Sequence, residues 1–131
     1  MKQPFKIGDT VTFARVVKEE DKAAFDSGEV HALYSTFSLG RDAEWACRLF
    51  VLEMKEEDEE GIGTFLKIEH HSPAFVGQEV VFTATLEEVN AHEVIGSFEA
   101  RVGERLIASG STGQKILKKE KINRIMNQFK P

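Results

Sequence analysis

Between Tyr34 and Asp58 the chain carries apolar residues on two sides of one helix, and that constrains the fold more than any other feature of its 131 residues. Leu39, Ala43, Ala46, Cys47, Phe50, Val51 and Met54 recur at helical spacing. Trp45, Leu49 and Leu52 form a second strip on another side, leaving Glu44 and Arg48 in a narrow polar seam between the two. A helix of this kind must be covered on both sides, which puts it at the centre of the fold. Ser35, Thr36 or Ser38 is placed to cap its start. The acidic run Glu56-Glu57-Asp58-Glu59-Glu60, then Gly61, ends it and reads as a solvated terminus.

The rest of the chain is mostly strand. Phe5 to Val17 is rich in β-formers, and Gly8-Asp9 supplies a turn. From Lys18 to Gly28 charges dominate, and Asp26-Ser27-Gly28 has turn chemistry, so this stretch reads as connecting structure. After Gly63, alternation places Thr64, Leu66, Ile68 and His70 on one strand face and Phe65, Lys67, Glu69 and His71 on the other, up to Pro73. Gln78 to Val89 and Glu93 to Val102 are two further strands around an Asn90-Ala91-His92 hairpin. Arg105 to Lys118 is another, with Gly110 and Gly113 allowing a bend or bulge. Ile122, Ile125, Met126 and Phe129 predict a short terminal helix. With no repeated βα alternation, the order predicts an α+β fold: an antiparallel sheet covering one central helix in a single domain, residues 1–131.

Net charge of −5 argues against nucleic acid as a partner. The segment Gln114 to Pro131 is locally basic, with Lys115, Lys118, Lys119, Lys121, Arg124 and Lys130 against Glu120 alone; a solvated face or a surface for an anionic ligand both fit. No run approaches the ~20 apolar residues of a membrane span, and none resembles a signal peptide, so the expected setting is cytoplasmic with no membrane partner. The single cysteine, Cys47, lies in the apolar stripe and reads as a core thiol. There is no P-loop, no dinucleotide glycine fingerprint and no paired-Cys spacing. His31 and His92 have no inferable partner and His70 and His71 face opposite sides, so neither a metal site nor a cofactor is expected.

Three polar residues remain where chemistry can sit. Glu44 is a carboxylate on a helix with little exposed face, which demands pairing, hydrogen bonding or a shifted pKa; an ion pair with Arg48, four positions on, is the plain alternative. His70 closes the inward strand face, either as a base near neutral pH or as a structural hydrogen-bonding residue. Thr36 stands at the helix start, as a cap or as a hydroxyl beside free amides that suit a carbonyl or anion.

Taken together, Thr36 with Glu44 eight positions later, and His70 with Gly63 seven before and Gly77 seven after, resemble the fluoroacetyl-CoA thioesterase-like branch of the hot-dog fold thioesterase superfamily. The neighbouring text Tyr34-Ser35-Thr36, Ala43-Glu44-Trp45-Ala46 and Gly63 through Pro73 carries the same resemblance. It departs where Phe37 follows the Thr in place of the Pro or Gly common in that family, and where Gln114 and Lys115 stand near the end of the last strand in place of His and Arg. The resemblance implies a hot-dog sheet of four to six antiparallel strands around the helix. It also implies a homodimer, or a tetramer built from it, with acyl-CoA near the subunit interface as substrate, not cofactor. It makes Thr36, Glu44 and His70 catalytic and assigns Gly63, Phe37 and Gly77 to substrate binding. Glu44 would activate water or attack directly, His70 would assist proton transfer, Thr36 would position the thioester, and an amide near Gly63 would help hold the oxyanion. Two rivals stand beside this reading: a non-catalytic protein that binds acyl-CoA or another apolar ligand, and an enoyl-thioester hydratase using Asp42 as the extra acid.

Overall fold

A computed structural model describes residues 1–25 and 28–131; the Asp26-Ser27 part of the expected turn and the side chain of His31 lie outside the described residues. The central helix α1 runs Thr36–Met54, and all seven residues of its main apolar stripe are buried. Ser35 is the cap, its side chain accepting from the Ser38 amide. Thr36 is therefore the first helical residue, and its hydroxyl is not spent on capping.

Five strands wrap α1: β1 (Thr10–Val16), β4 (Glu59–His70), β5 (Glu79–Asn90), β6 (Glu93–Val102) and β7 (Arg105–Lys118). They lie in the order β1-β5-β6-β7-β4, every neighbouring pair antiparallel. Alternation places Val80, Phe82, Ala84 and Leu86 of β5 and Val94, Phe98 and Ala100 of β6 in the core, packed with Ile107 and Ile116 of β7 against the helix stripe. The N-terminal segment closes one end, where Phe5 meets Phe50 edge-on at 5.0 Å between ring centroids.

Several expectations change. The charged stretch after Lys18 is not mere connection: it holds a 3-10 turn (Glu19–Asp21) and β2 (Lys22–Phe25), which pairs antiparallel with β3 (Gly28–Tyr34) as a separate two-stranded sheet. The acidic run is not wholly solvated. Glu59 is buried and pairs with the Met1 ammonium at 3.1 Å, while Glu60 takes Arg48 at 2.6 Å. The predicted terminal helix is present as α2 (Lys119–Phe129), with no buried residue.

The glycines of β7 serve close approach, not a bend. A Cβ on Gly110 would sit 1.8 Å from the Lys67 carbonyl oxygen, and one on Gly113 would sit 2.4 Å from the Phe65 ring. Opposite Gln114 and Gly113 the bulge is in β4, between Gly63 and Phe65. It moves Thr64 off the face expected for it: Thr64 and Phe65 both lie over Gly113, and the Thr64 hydroxyl donates to Glu93 at 2.7 Å. Leu66, Ile68 and His70 keep the inward face.

β4 and α1 run past each other in opposite directions. Gly40 faces Leu66 and Ile68, Gly63 faces Glu44, and Gly61 faces Arg48 and Val51. β4 is also an edge strand, and beside it the second apolar strip of α1 stays uncovered, with Trp45 42% and Leu52 37% exposed.

Candidate active site

Where the last residue of β4 meets the first residue of α1, Thr36 Oγ1 and His70 Nε2 lie 2.9 Å apart. The contact follows from the pieces already described: Ser35 takes the cap and leaves the Thr36 hydroxyl available, and strand alternation turns His70 toward the helix. His71 points the other way and bonds Ser109 through Nε2 at 2.8 Å.

Thr36 and His70 line a cavity of about 1050 Å³ between α1, the β2–β3 pair and the segment 71–74. Leu33, Leu39, Ala74 and Ile107 contribute apolar surface, and Phe37 stands at the mouth, 83% exposed. Gly77 is not among the lining residues. It occupies a positive-φ turn before β5 and donates its amide to the Val17 carbonyl, so its structural role is a turn that glycine alone makes easily.

Glu44 is elsewhere. Two helical turns beyond Thr36, about 12 Å at 1.5 Å per residue, its carboxylate lies over Gly63, where an added Cβ would be 3.4 Å from Oε1. The expected ion pair to Arg48 does not form; Arg48 bonds the Gly61 carbonyl, Gln114 and Glu60. Among the described residues Glu44 has no hydrogen-bonding or ionic partner. The half-buried carboxylate thus sits beside the β4 bulge, whose extra residue leaves backbone groups outside the ladder. One chain therefore holds two separate polar groupings along β4: a hydroxyl and imidazole at its last residue, and a carboxylate against Gly63.

Behind the cavity lies a polar cluster of which the sequence reading weighed only Asp42, as an extra acid. Asp42 and Asp21 are 2% and 1% exposed. Asp42 accepts from Tyr34, Arg15 and Arg41, and Asp21 accepts from Arg41 and the Lys18 amide. Burial and the neighbouring Asp42 carboxylate push the Tyr34 hydroxyl well above its ordinary pKa, so it stays a donor. For Asp21, burial pushes upward but is outweighed by the Lys18 amide and the Arg41 guanidinium, leaving its carboxyl below the ordinary value. The cluster ties β1, the 3-10 turn, β3 and α1 together around the helix start. One signal was available for Asp42: it interrupts the same buried stripe of α1 that made Glu44 notable.

Residues 17–120 match the family model for the fluoroacetyl-CoA-specific thioesterase FlK. The chain belongs to that family. Its fold is the hot-dog fold, as similarity to solved structures also shows. A thioesterase superfamily member from Thermus thermophilus is 32% identical, with a TM-score of 0.91 over 96% of this chain and 93% of that one. The fluoroacetyl-CoA thioesterase FlK itself is 23% identical, with a TM-score of 0.90 over 98% of this chain and all of that one. A hot-dog-like protein from Thermanaerovibrio acidaminovorans, 18% identical, gives 0.86 over 97% of this chain and 95% of that one. No curated protein matches the sequence significantly. Among the described residues, no helix is long and apolar enough to cross a membrane.

Proposed function

We propose that this protein hydrolyses an acyl-CoA thioester to the free acid and CoA, acting as a single domain in a homodimer whose sites each draw on both subunits. The observation that carries this is the separation of the half-sites on α1 and β4. Thr36–His70 and Glu44–Gly63 are too far apart to act on one carbonyl within a chain. β4 is an edge strand with unpaired backbone, and it exposes Phe65 (43%) and Leu66 (41%). Antiparallel pairing of two such edges about a two-fold axis midway between Gly63 and His70 would set Gly63 and Glu44 of one subunit against the partner subunit's His70 and Thr36. The same pairing would cover Trp45 and Leu52, which is the cover the sequence pattern demands.

In such a site the Glu44 carboxylate removes a proton from water as the oxygen attacks the thioester carbon, or attacks that carbon itself. The amide beside the Gly63 bulge donates to the developing oxyanion. As the carbon–sulfur bond breaks, the Thr36–His70 pair delivers a proton to the departing thiolate; on the direct route water then hydrolyses the acyl–Glu44 anhydride, so either route ends in acid and thiol. Glycine at 63 lets the ligand lie close to both backbone and carboxylate.

The test is thiol release from a panel of acyl-CoAs together with size-exclusion chromatography. Hydrolysis of at least one acyl-CoA by a dimer is expected. A monodisperse monomer at micromolar concentration would overturn the shared site, and tight acyl-CoA binding with no hydrolysis anywhere on the panel would replace the enzyme by a binding protein.

A further inference from the structure

The cavity beside Thr36 and His70 is too large for a small acyl group. At about 1050 Å³ it stands at the upper end of ordinary ligand pockets, whereas a two-carbon acyl fills a space of only two or three waters, each ~30 Å³. Ala23, Leu33, Leu39, Ala74 and Ile107 give the lining its apolar part, and Thr36, His70 and Ser72 are among the polar residues that share it. The small side chain of Ala23 on β2 leaves the volume open.

Charge narrows the ligand further. Among the described lining residues the full charges are those of Glu20 and Lys22, and Lys22 is paired with Glu19 at 2.8 Å. Behind the floor, Arg41 is held by Asp21 and Asp42. Among the described lining residues Glu20 and Lys22 balance, so the lining offers a terminal carboxylate no excess of positive charge.

We propose that this cavity takes the acyl chain, and that the preferred acyl group is an uncharged aliphatic chain several carbons longer than acetyl, not acetyl, fluoroacetyl or a dicarboxylic half-thioester. This rests on the thioesterase reading for the position of the carbonyl at Thr36 and His70. Each methylene buried in an apolar wall favours binding about fourfold, so preference should climb with chain length until the cavity is full.

Two measurements on the unaltered protein separate the two ideas: affinity for a series of S-alkyl-CoA thioethers, which cannot be hydrolysed, and kcat/KM for the matching acyl-CoAs. Affinity and kcat/KM should both rise, by roughly 250-fold from two to six carbons, and succinyl-CoA should be a poor substrate. Rising affinity without hydrolysis keeps the chain assignment and removes the thioesterase. Hydrolysis that is fastest for acetyl-CoA, with affinity flat in chain length, keeps the thioesterase and overturns the chain assignment. Ala23→Phe, which fills the cavity from β2, is expected to lower the hexanoyl-to-acetyl ratio at least tenfold; an unchanged ratio would place the chain elsewhere.

Discussion

His70 Nε2 lies 2.9 Å from Thr36 Oγ1, joining the end of β4 to the first turn of α1, while the adjacent His71 bonds Ser109 on the opposite face of the sheet. Adjacent imidazoles thus serve opposite faces of the sheet. His70→Ala should lower kcat/KM for the best acyl-CoA by roughly 10²-fold or more, as loss of an acid–base group does. His71→Ala should change it by less than about tenfold, or ~1.4 kcal/mol in barrier. Steady-state kinetics on the two variants decides this, and damage confined to His71→Ala would refute the site.

Glu44→Gln should likewise reduce kcat/KM by about 10²-fold or more while leaving the fold intact, because among the described residues the carboxylate has no structural partner to lose. Mixing Glu44→Gln chains with His70→Ala chains then tests where the two groups meet. If each site combines His70 of one subunit with the partner subunit's Glu44, half the dimers are mixed and hold one intact site of two, so about a quarter of full activity returns. A site within one subunit returns none.

Two glycines should respond oppositely to alanine. At Gly63 a Cβ meets Glu44 at 3.4 Å, an ordinary contact, so Gly63→Ala should stay within about 1 kcal/mol of the original stability but lose at least tenfold in activity by crowding the carboxylate. At Gly110 a Cβ would lie 1.8 Å from the Lys67 carbonyl oxygen. There the strands must separate, and denaturant unfolding should show a loss of about 3 kcal/mol or more.

Acid should loosen the cluster behind the cavity. Asp21 has its folded pKa lowered, so the stability it contributes is fully present above the ordinary aspartate range and is lost as pH falls through the lowered folded value. Between about pH 5 and pH 2 the unfolding free energy of Asp21→Asn should therefore fall less steeply than that of the unaltered protein. Parallel slopes would count against the Arg41 and Lys18 contacts.

Cys47 should behave as a core residue. Burial pushes its thiol up to about 11, so at pH 8 the folded protein holds roughly one thiolate in a thousand. Iodoacetamide should leave it unmodified until denaturant is added; rapid labelling of the native protein would contradict its burial.

Much of this was legible in the chain because burial imprints a period on sequence. The seven-residue stripe of α1, the alternation that turns His70 inward and His71 outward, and the exposed second strip at Trp45 and Leu52 all follow from which side of an element meets water. β2 and β3 were missed because β2 is only four residues long and follows a charged turn, and so short a strand carries little imprint. The displacement of Thr64 was missed because a bulge shifts the period by one residue without leaving a mark.

The relation between the site residues lay beyond the sequence for a different reason. Spacing fixes neighbours within an element, so it could put Glu44 in the seam of α1, His70 on the inward face of β4 and Thr36 at the helix start. Distances between elements depend on how α1 crosses β4, and that is set by packing throughout the core. Only the tertiary structure put Thr36 on His70 and sent Arg48 to Glu60 and Gln114. The same packing left Glu44 facing Gly63 at an open edge.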